Sequence, residues 1–270
     1  MRISSTVEIR DLASHLSKDG YVILNEVFPT SLIDKLHDAY LEEYGSMSSE
    51  QMAAKCAATG PNRFLKVGDG RYEIAVTMKP PFSDPSLYAN ELTASVLQQA
   101  LGDGYKLSSF TVVVSYPGSP MQHIHRDHSH LFEPDGICGL LPPHAINVAI
   151  PFADVDLKSG PTGVWPGSHR WPNAASCDPS KAVSTRLWRG DCMMIDYRTL
   201  HAGMPNLGDC VRAILYIVYA RGWFFDVRNF SNRNPLDLPI EEYDKLSPAV
   251  QSLLSRVRMS QLRMGGTEKE

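Results

Sequence analysis

At 270 residues, 43% of them hydrophobic and 21% charged, the chain is long enough for one large core. It holds no apolar run approaching the roughly 18 residues that a membrane span needs. A formal charge of -4 and a pI near 6.1, with no Lys/Arg cluster, exclude a phosphate-tracking nucleic-acid surface and point to a small-molecule partner. The five cysteines (Cys56, Cys138, Cys177, Cys192, Cys210) are scattered, odd in number and without CxxC spacing, which excludes a disulfide framework or a thiolate zinc site and reads as reduced core thiols.

Met1-Arg2-Ile3-Ser4-Ser5 leads into charged residues rather than an apolar stretch, so no secretory signal is expected and a cytoplasmic location follows by default. Tyr21 to Val27 is a short β-prone run. Thr30 or Ser31 then offers an N-cap for a helix to about Tyr44, with Leu32, Leu36 and Tyr40 at helical spacing. Residues 46 to 80 carry Gly60, Pro61, Gly68 and Gly70 with little periodicity and read as irregular, with a strand at Tyr72 to Val76. Pro85 to Leu101 has helical spacing at Leu87, Leu92, Val96 and Leu97, and Gly102 is placed to stop it.

From Ser109 the texture changes to β-branched and aromatic runs: Phe110 to Tyr116, Ala145 to Phe152, Cys192 to Tyr197 and Val211 to Tyr219. These predict an antiparallel barrel or jelly roll, and the whole chain reads as a single domain. Residues 1-108 would be its helical and irregular part, about 109-225 its core and 226-270 a helical segment and tail. Asp135 to Pro143, with two glycines and two prolines, reads as a flap. Ser247-Pro248 resembles an N-cap with Pro at the first position of a last short helix, ahead of a polar tail from about Met259.

The stretch His123-Ile124-His125-Arg126-Asp127-His128-Ser129-His130 packs four imidazoles and a carboxylate into eight residues. In a strand, alternate side chains share a face, so His125 and Asp127 would project together and grip one ion. A redox iron site with room for O2 and a substrate needs two imidazoles and a carboxylate on one octahedral face. Of the remaining histidines, His201 is the choice for the third ligand, because it falls just past the apolar run that follows the Gly190-Asp191 turn. Arg212 heads the alternation Arg212-Ala213-Ile214-Leu215-Tyr216-Ile217-Val218-Tyr219. If buried it needs an anion, and its planar fork suits a carboxylate-bearing cosubstrate; a solvated head or a pair with Asp209 is the plainer alternative.

Three motifs in this order resemble the phytanoyl-CoA dioxygenase-like family of Fe(II)/2-oxoglutarate oxygenases. They are Gln122-x-x-His125-x-Asp127, Gly160-Pro161-Thr162-x-x-x-Pro166-Gly167-Ser168-His169, and Gly190-Asp191 through His201-x-Gly203 to Arg212. With the opening Gly20-Tyr21-Val22-Ile23-Leu24, the resemblance spans roughly residues 15 to 225. It implies a mainly β fold, a double-stranded β-helix (a cupin-like jelly roll) with flanking α-helices, and oxidation of an unactivated C–H bond of a small metabolite. By the same resemblance His125, Asp127 and His201 would hold Fe(II), and Arg212 would clamp the distal carboxylate of 2-oxoglutarate. Gln122 and Thr162 would help hold that cosubstrate, and O2 would be consumed with release of succinate and CO2. Asp127 also separates the chain from halogenating relatives, which carry a small residue there.

Other readings stay open on the sequence. His123 shares the expected strand face, so a His123, His125, His201 site in a zinc hydrolase or cupin-like isomerase is geometrically possible, as is a non-catalytic small-molecule-binding barrel. His128 and His130 would face away, at the surface or in the flap. His169 reads as a turn residue, and Trp165 and Trp223 as wall or core aromatics. Tyr216 and Tyr219 fall on opposite faces, so only one looks inward. The pocket lining is expected from residues 46 to 80 and 128 to 144, where Lys66, Arg71, Lys79, Phe132 and Leu140 suggest no single substrate type. Leu140-Leu141 could serve a lid or the interface of a homodimer.

Overall fold

A computed structural model describes residues 6–59, 63–132, 137–172, 177–231 and 236–256. The polar tail expected from Met259, and the side chain of Cys138, lie outside the described residues. The chain opens with helix α1 (Thr6–Asp19), strand β1 (Tyr21–Leu24), helix α2 (Thr30–Tyr44) and helix α3 (Ser49–Thr59), followed by the hairpin β2 (Phe64–Gly68) and β3 (Arg71–Ile74). Helices α4 (Pro85–Tyr88) and α5 (Glu91–Leu101) lead into β4 (Lys106–Ser115), β5 (Ala145–Pro151), β6 (Thr162–Val164), β7 (Val183–Ser184), β8 (Cys192–Asp196), β9 (His201–Gly203) and β10 (Arg212–Ala220). Two short helices, α6 (Ile240–Tyr243) and α7 (Pro248–Leu253), follow. Among the described residues no helix is long and apolar enough to cross a membrane.

Several local expectations are corrected. Of residues 46 to 80, the expected strand at Tyr72 to Val76 appears as β3, but α3 and β2 are regular where irregular structure was expected; α3 was invisible because its Ala-rich sequence buries Met52 and little else, leaving no apolar stripe to read. Helix α1 was missed although Ile9, Leu12 and Leu16 form a stripe against the core. Helix α2 starts behind Pro29, with no side-chain cap from Thr30 or Ser31. The single helix expected over Pro85 to Leu101 is two, because Asn90 caps α5 anew by accepting from the N–H groups of Leu92 and Thr93. Gly102, at φ 74°, ends α5, and Ser247 caps α7 by accepting from the Val250 N–H. Four cysteines are described as free thiols; only Cys192 is buried, and Cys210 is exposed.

The strands form a seven-stranded sheet, in order β1-β8-β5-β10-β4-β3-β2, opposed by a three-stranded sheet, β7-β6-β9, and every strand pairing is antiparallel. Its central strands β4, β5, β8 and β10 are buried on both faces, and their period-2 alternation assigns each residue to one of them. Outward residues (Phe110, Val112 and Val114 of β4; Ile146, Val148 and Ile150 of β5; Leu215, Ile217 and Tyr219 of β10) pack with Leu36, Tyr40, Val96 and Leu97 of the helices in one large core. Each such side chain contributes about 1.5–3 kcal/mol by leaving water. Inward, Ala149, Met193, Ile195 and Ile214 meet Val155, Val164 and Leu187 in a second, smaller cluster between the sheets. Tyr219 therefore faces the helices and Tyr216 faces inward.

Turn chemistry explains several motif residues without assigning them to catalysis. Gly190, at φ 99°, lets the chain pass the Phe28 carbonyl, which a Cβ would meet at 2.7 Å; the buried Asp191 carboxylate then accepts from the Glu26 and Trp188 N–H groups. Ser168 Oγ accepts from the Leu200 N–H, and the buried His169 ring contacts the Ser17 carbonyl through Nε2, the structural role expected of it. Trp165 is core and donates to the Asp178 carbonyl, whereas Trp223 is 67% exposed and is no core aromatic.

Candidate active site

The inner face of the large sheet, between its β2 side and β8, and the mouth formed by residues 122–127 enclose a cavity of about 390 Å³. Leu65, Val67 and Val113 supply apolar wall, while Ser109, Thr111, Asn147 and Tyr216 supply polar groups. His125, Asp127 and His201 line one side, and each offers a ligand atom lying within 4.8 Å of the other two. This is the one metal-capable group of three among the described residues. Asp127 Oδ1 lies 3.5 Å from His201 Nε2. Ligand bonds of about 2.1 Å to a shared ion at right angles would place such atoms about 3 Å apart, so the three would draw together to share an ion.

The segment carrying His125 and Asp127 is not the strand that alternation suggested. His125 makes a single antiparallel bridge with His201, each N–H donating to the other's carbonyl at 3.0 and 2.9 Å, and the chain bends at Asp127 and His128. That bridge, rather than a shared strand face, sets the two rings side by side, with centroids 4.4 Å apart. Each ring is then oriented through Nδ1, which contacts the His123 carbonyl at 2.9 Å for His125 and the Thr199 carbonyl at 3.0 Å for His201. A proton held at Nδ1 leaves the Nε2 lone pair toward the cavity, the tautomer a metal ligand needs. Burial, with His201 alongside, pushes the His125 imidazole down to about 4, so it is neutral at pH 7.

His123 contributes its carbonyl to this arrangement and its ring lies tilted against His125, but its own ring nitrogens fall outside the group of three. His130, expected at the surface or in the flap, is buried, and its Nε2 contacts the His169 carbonyl at 2.8 Å. His128 is half-buried against Phe224 and His144. Among the described residues of 128 to 144, none lines the cavity of the triad. His130, Phe132, Leu141 and His144 instead border a separate cavity of about 200 Å³ with Arg198 and Trp223, and Leu140 is 86% exposed.

Arg212 is 6% exposed and lines the triad's cavity. Its Nε and Nη1 are buried and make no hydrogen bond, and no carboxylate among the described residues pairs with it, Asp209 included. Burial lowers its pKa, partly opposed by Tyr216, whose hydroxyl also lies 3.4 Å from Thr162 Oγ1. Gln122 bridges two elements, donating from Nε2 to the Val67 carbonyl and accepting the Gly203 N–H at Oε1.

Arg71, expected only as one of several pocket-lining residues, gains a specific place at this end. Arg71 of β3 and Arg212 of β10 both pair with Ser115 of β4, so two guanidinium side chains rise from one row of the sheet. Arg71 is 1% exposed; it donates to Ser115 Oγ at 2.8 Å and to the carbonyls of Pro120 and Met204, all neutral acceptors. Burial and then the charge of Arg212 lower its pKa to about 10. Two buried guanidinium groups with no carboxylate pair among the described residues leave this end of the site electropositive. Gly203 is required by the same packing, since a Cβ there would sit 2.7 Å from Arg71 Nη1 and 3.2 Å from Gln122 Oε1. Gly203→Ala is therefore expected to raise the KM for 2-oxoglutarate by on the order of tenfold while leaving Fe(II) affinity within about twofold, an overpacking effect checked by steady-state kinetics and metal titration.

The sequence profile of the phytanoyl-CoA dioxygenase (PhyH) family matches residues 16–214. The chain belongs to the phytanoyl-CoA dioxygenase family. Among curated relatives, it is 25% identical over 267 residues to the multifunctional dioxygenase ausE of Aspergillus calidoustus, covering 93% of this chain and 85% of that one. It is 26% identical to the dioxygenase ALT11 of Alternaria alternata over 49% of this chain and 46% of that protein, so this second match spans under half of the relative. Among solved structures, the non-heme alpha ketoglutarate dependent epimerase SnoN from nogalamycin biosynthesis shares the fold, with a TM-score of 0.58 at 20% identity over 80% of this chain and 82% of that one. The double-stranded β-helix expectation is thereby met. Family membership makes the chain a 2-oxoglutarate-dependent oxygenase, with iron, 2-oxoglutarate and O2 as its cofactor set. The residues fit that set: two imidazoles and a carboxylate converge beside a buried guanidinium that lacks an anion.

Proposed function

We propose that this single-domain chain oxidises an unactivated C–H bond of a small metabolite in natural-product biosynthesis, by hydroxylation, desaturation or oxidative rearrangement. His125, Asp127 and His201 would hold Fe(II) through Nε2, Oδ1 and Nε2. Arg212 would take the distal carboxylate of 2-oxoglutarate in a bidentate pair, with Arg71 reinforcing the positive potential behind it. Gln122 and Thr162 would flank that cosubstrate. When bound, iron, 2-oxoglutarate and O2 together supply an oxidant strong enough to remove hydrogen from carbon, with release of succinate and CO2.

The chain's own part is placement and exclusion of water. The Nδ1 contacts of His125 and His201 with main-chain carbonyls fix both rings, and with Asp127 these residues would hold the ion, which when bound would supply the site for cosubstrate and O2. The apolar wall of Leu65, Val67, Val113 and Val218 offers a hydrocarbon skeleton a dry surface. Relatives named as dioxygenases support the oxygenase reading. The observation that carries the reading is the buried Arg212, without an anion, in the cavity of the His125, Asp127, His201 group.

Anaerobically purified protein supplied with Fe(II), 2-oxoglutarate and then O2 should release succinate. A mixed pool of small-metabolite extracts should accelerate that release and yield a product whose mass differs by gain of one oxygen or loss of two hydrogens. Tight zinc binding with no succinate under any of these conditions would instead favour a metal-dependent hydrolase or isomerase.

A further inference from the structure

Asp127 is held at two points by amides that lie outside the group of three. Asn147 Nδ2 donates to Asp127 Oδ2 at 3.2 Å, and Asn229 Nδ2 donates to the Asp127 main-chain carbonyl at 3.0 Å. Asn147 is the one polar residue of β5 (Ala145–Pro151), a strand buried along its whole length, and it is itself 8% exposed. Burying an amide there opposes folding unless the group is used. A carboxylate only accepts, so the Nδ2 end must face Asp127; Oδ1 is left buried without a partner, which leaves the contact to Asp127 as the visible reason for an amide at this position.

Asn229 is placed from the other side of the cavity. The buried Asp226 accepts from the Asn229 N–H at 3.0 Å and from Asn229 Nδ2 at 2.8 Å, which folds residues 226–229 into a turn and aims the second Nδ2 hydrogen at Asp127. The two amides thus approach Asp127 from the sheet floor and from the loop after β10, while Oδ1, the oxygen nearest His201, is left toward the shared point.

We infer that Asn147 and Asn229 form a two-point clamp that makes Asp127 a one-oxygen metal ligand through Oδ1. With Oδ2 engaged by Asn147, the carboxylate is kept from wrapping both oxygens around the ion, and one coordination position stays open on the cavity side. The inference rests on the assignment of His125, Asp127 and His201 as the metal ligands. Both asparagines are positioning residues, acting through Asp127.

The test uses Co(II) as the probe metal and the full chain. Asn147→Leu removes the donor at nearly constant volume, so the metal-free protein should unfold within a few degrees of wild type, while Co(II) affinity falls about 10–100-fold. Asn147→Ser, too short to reach Oδ2, should show a loss in the same range, and Asn229→Ala a smaller one of several-fold. The Co(II) visible spectrum in both Asn147 variants should shift as the second carboxylate oxygen enters, and 2-oxoglutarate should bind the Co(II)-loaded variants more weakly. Ser95→Ala, on α5 and outside the cavity, should behave as wild type. Wild-type Co(II) affinity and spectrum in either Asn147 variant, or an equal loss in Ser95→Ala, would overturn the clamp. Should His201→Ala bind Co(II) as tightly as wild type, the ligand assignment itself fails, an outcome separate from the first.

Discussion

Asp127→Ala is expected to abolish succinate formation and to weaken Fe(II) binding by more than the roughly 10–100-fold that follows loss of a ligand's hydrogen-bonding partner. The reason is charge as much as geometry. His125 and His201 are neutral donors, so Asp127 supplies the only anion in the group, and its removal leaves a dication held by two imidazoles. The fold should survive, because Asp127 sits at the cavity wall and belongs to neither apolar cluster. Circular dichroism and thermal unfolding of the metal-free variant should match wild type while metal titration and turnover are lost. Retained turnover with bound iron would mean that a different set of residues holds the ion.

Arg212→Met should have two effects of opposite sign. Without ligand, the change removes a buried, incompletely paired cation and substitutes a side chain of similar volume, so the melting temperature should stay level or rise. With ligand, it removes one partner of a buried charge pair, a loss of about 2–5 kcal/mol, so the KM for 2-oxoglutarate should rise by roughly 30-fold or more. Arg212→Lys should fall between the two, since an ammonium keeps the charge but not the planar fork. Fe(II) affinity measured without 2-oxoglutarate should be unchanged in both variants. An unchanged KM in Arg212→Met would remove the cosubstrate role from this residue, and a large drop in stability would show that Arg212 is held by the protein rather than kept for a ligand.

The four long inner strands were legible because β-branched and aromatic residues gather in them and turns punctuate them. Strands of two or three residues, such as Thr162–Val164 and His201–Gly203, are too short for any period to show. His125 and Asp127 were chosen on an alternation that the chain does not use; what unites them with His201 is one pair of main-chain hydrogen bonds across a long sequence separation. Arg212 announced itself as a charge at the head of an apolar strand. Arg71 did not, because its meaning depends on β3, β4 and β10 lying side by side so that Ser115 joins it to Arg212. Asn147 carried a weak signal, a lone amide inside Ala-Ile-Asn-Val-Ala-Ile-Pro, and Asn229 carried none, since its placement depends on Asp226 and the turn it caps.

The convergence of His125, Asp127 and His201 on one iron beside Arg212 is tested most directly by anaerobic titration of the protein with Fe(II) and 2-oxoglutarate, followed by visible absorption. Chelation of ferrous iron by the 2-oxo acid gives a charge-transfer band. The expected result is a band that saturates at one equivalent of each, disappears in Asp127→Ala and His201→Ala, and requires far more 2-oxoglutarate in Arg212→Met. A band of full intensity in Asp127→Ala or His201→Ala, or none in the wild-type protein, would contradict the assignment.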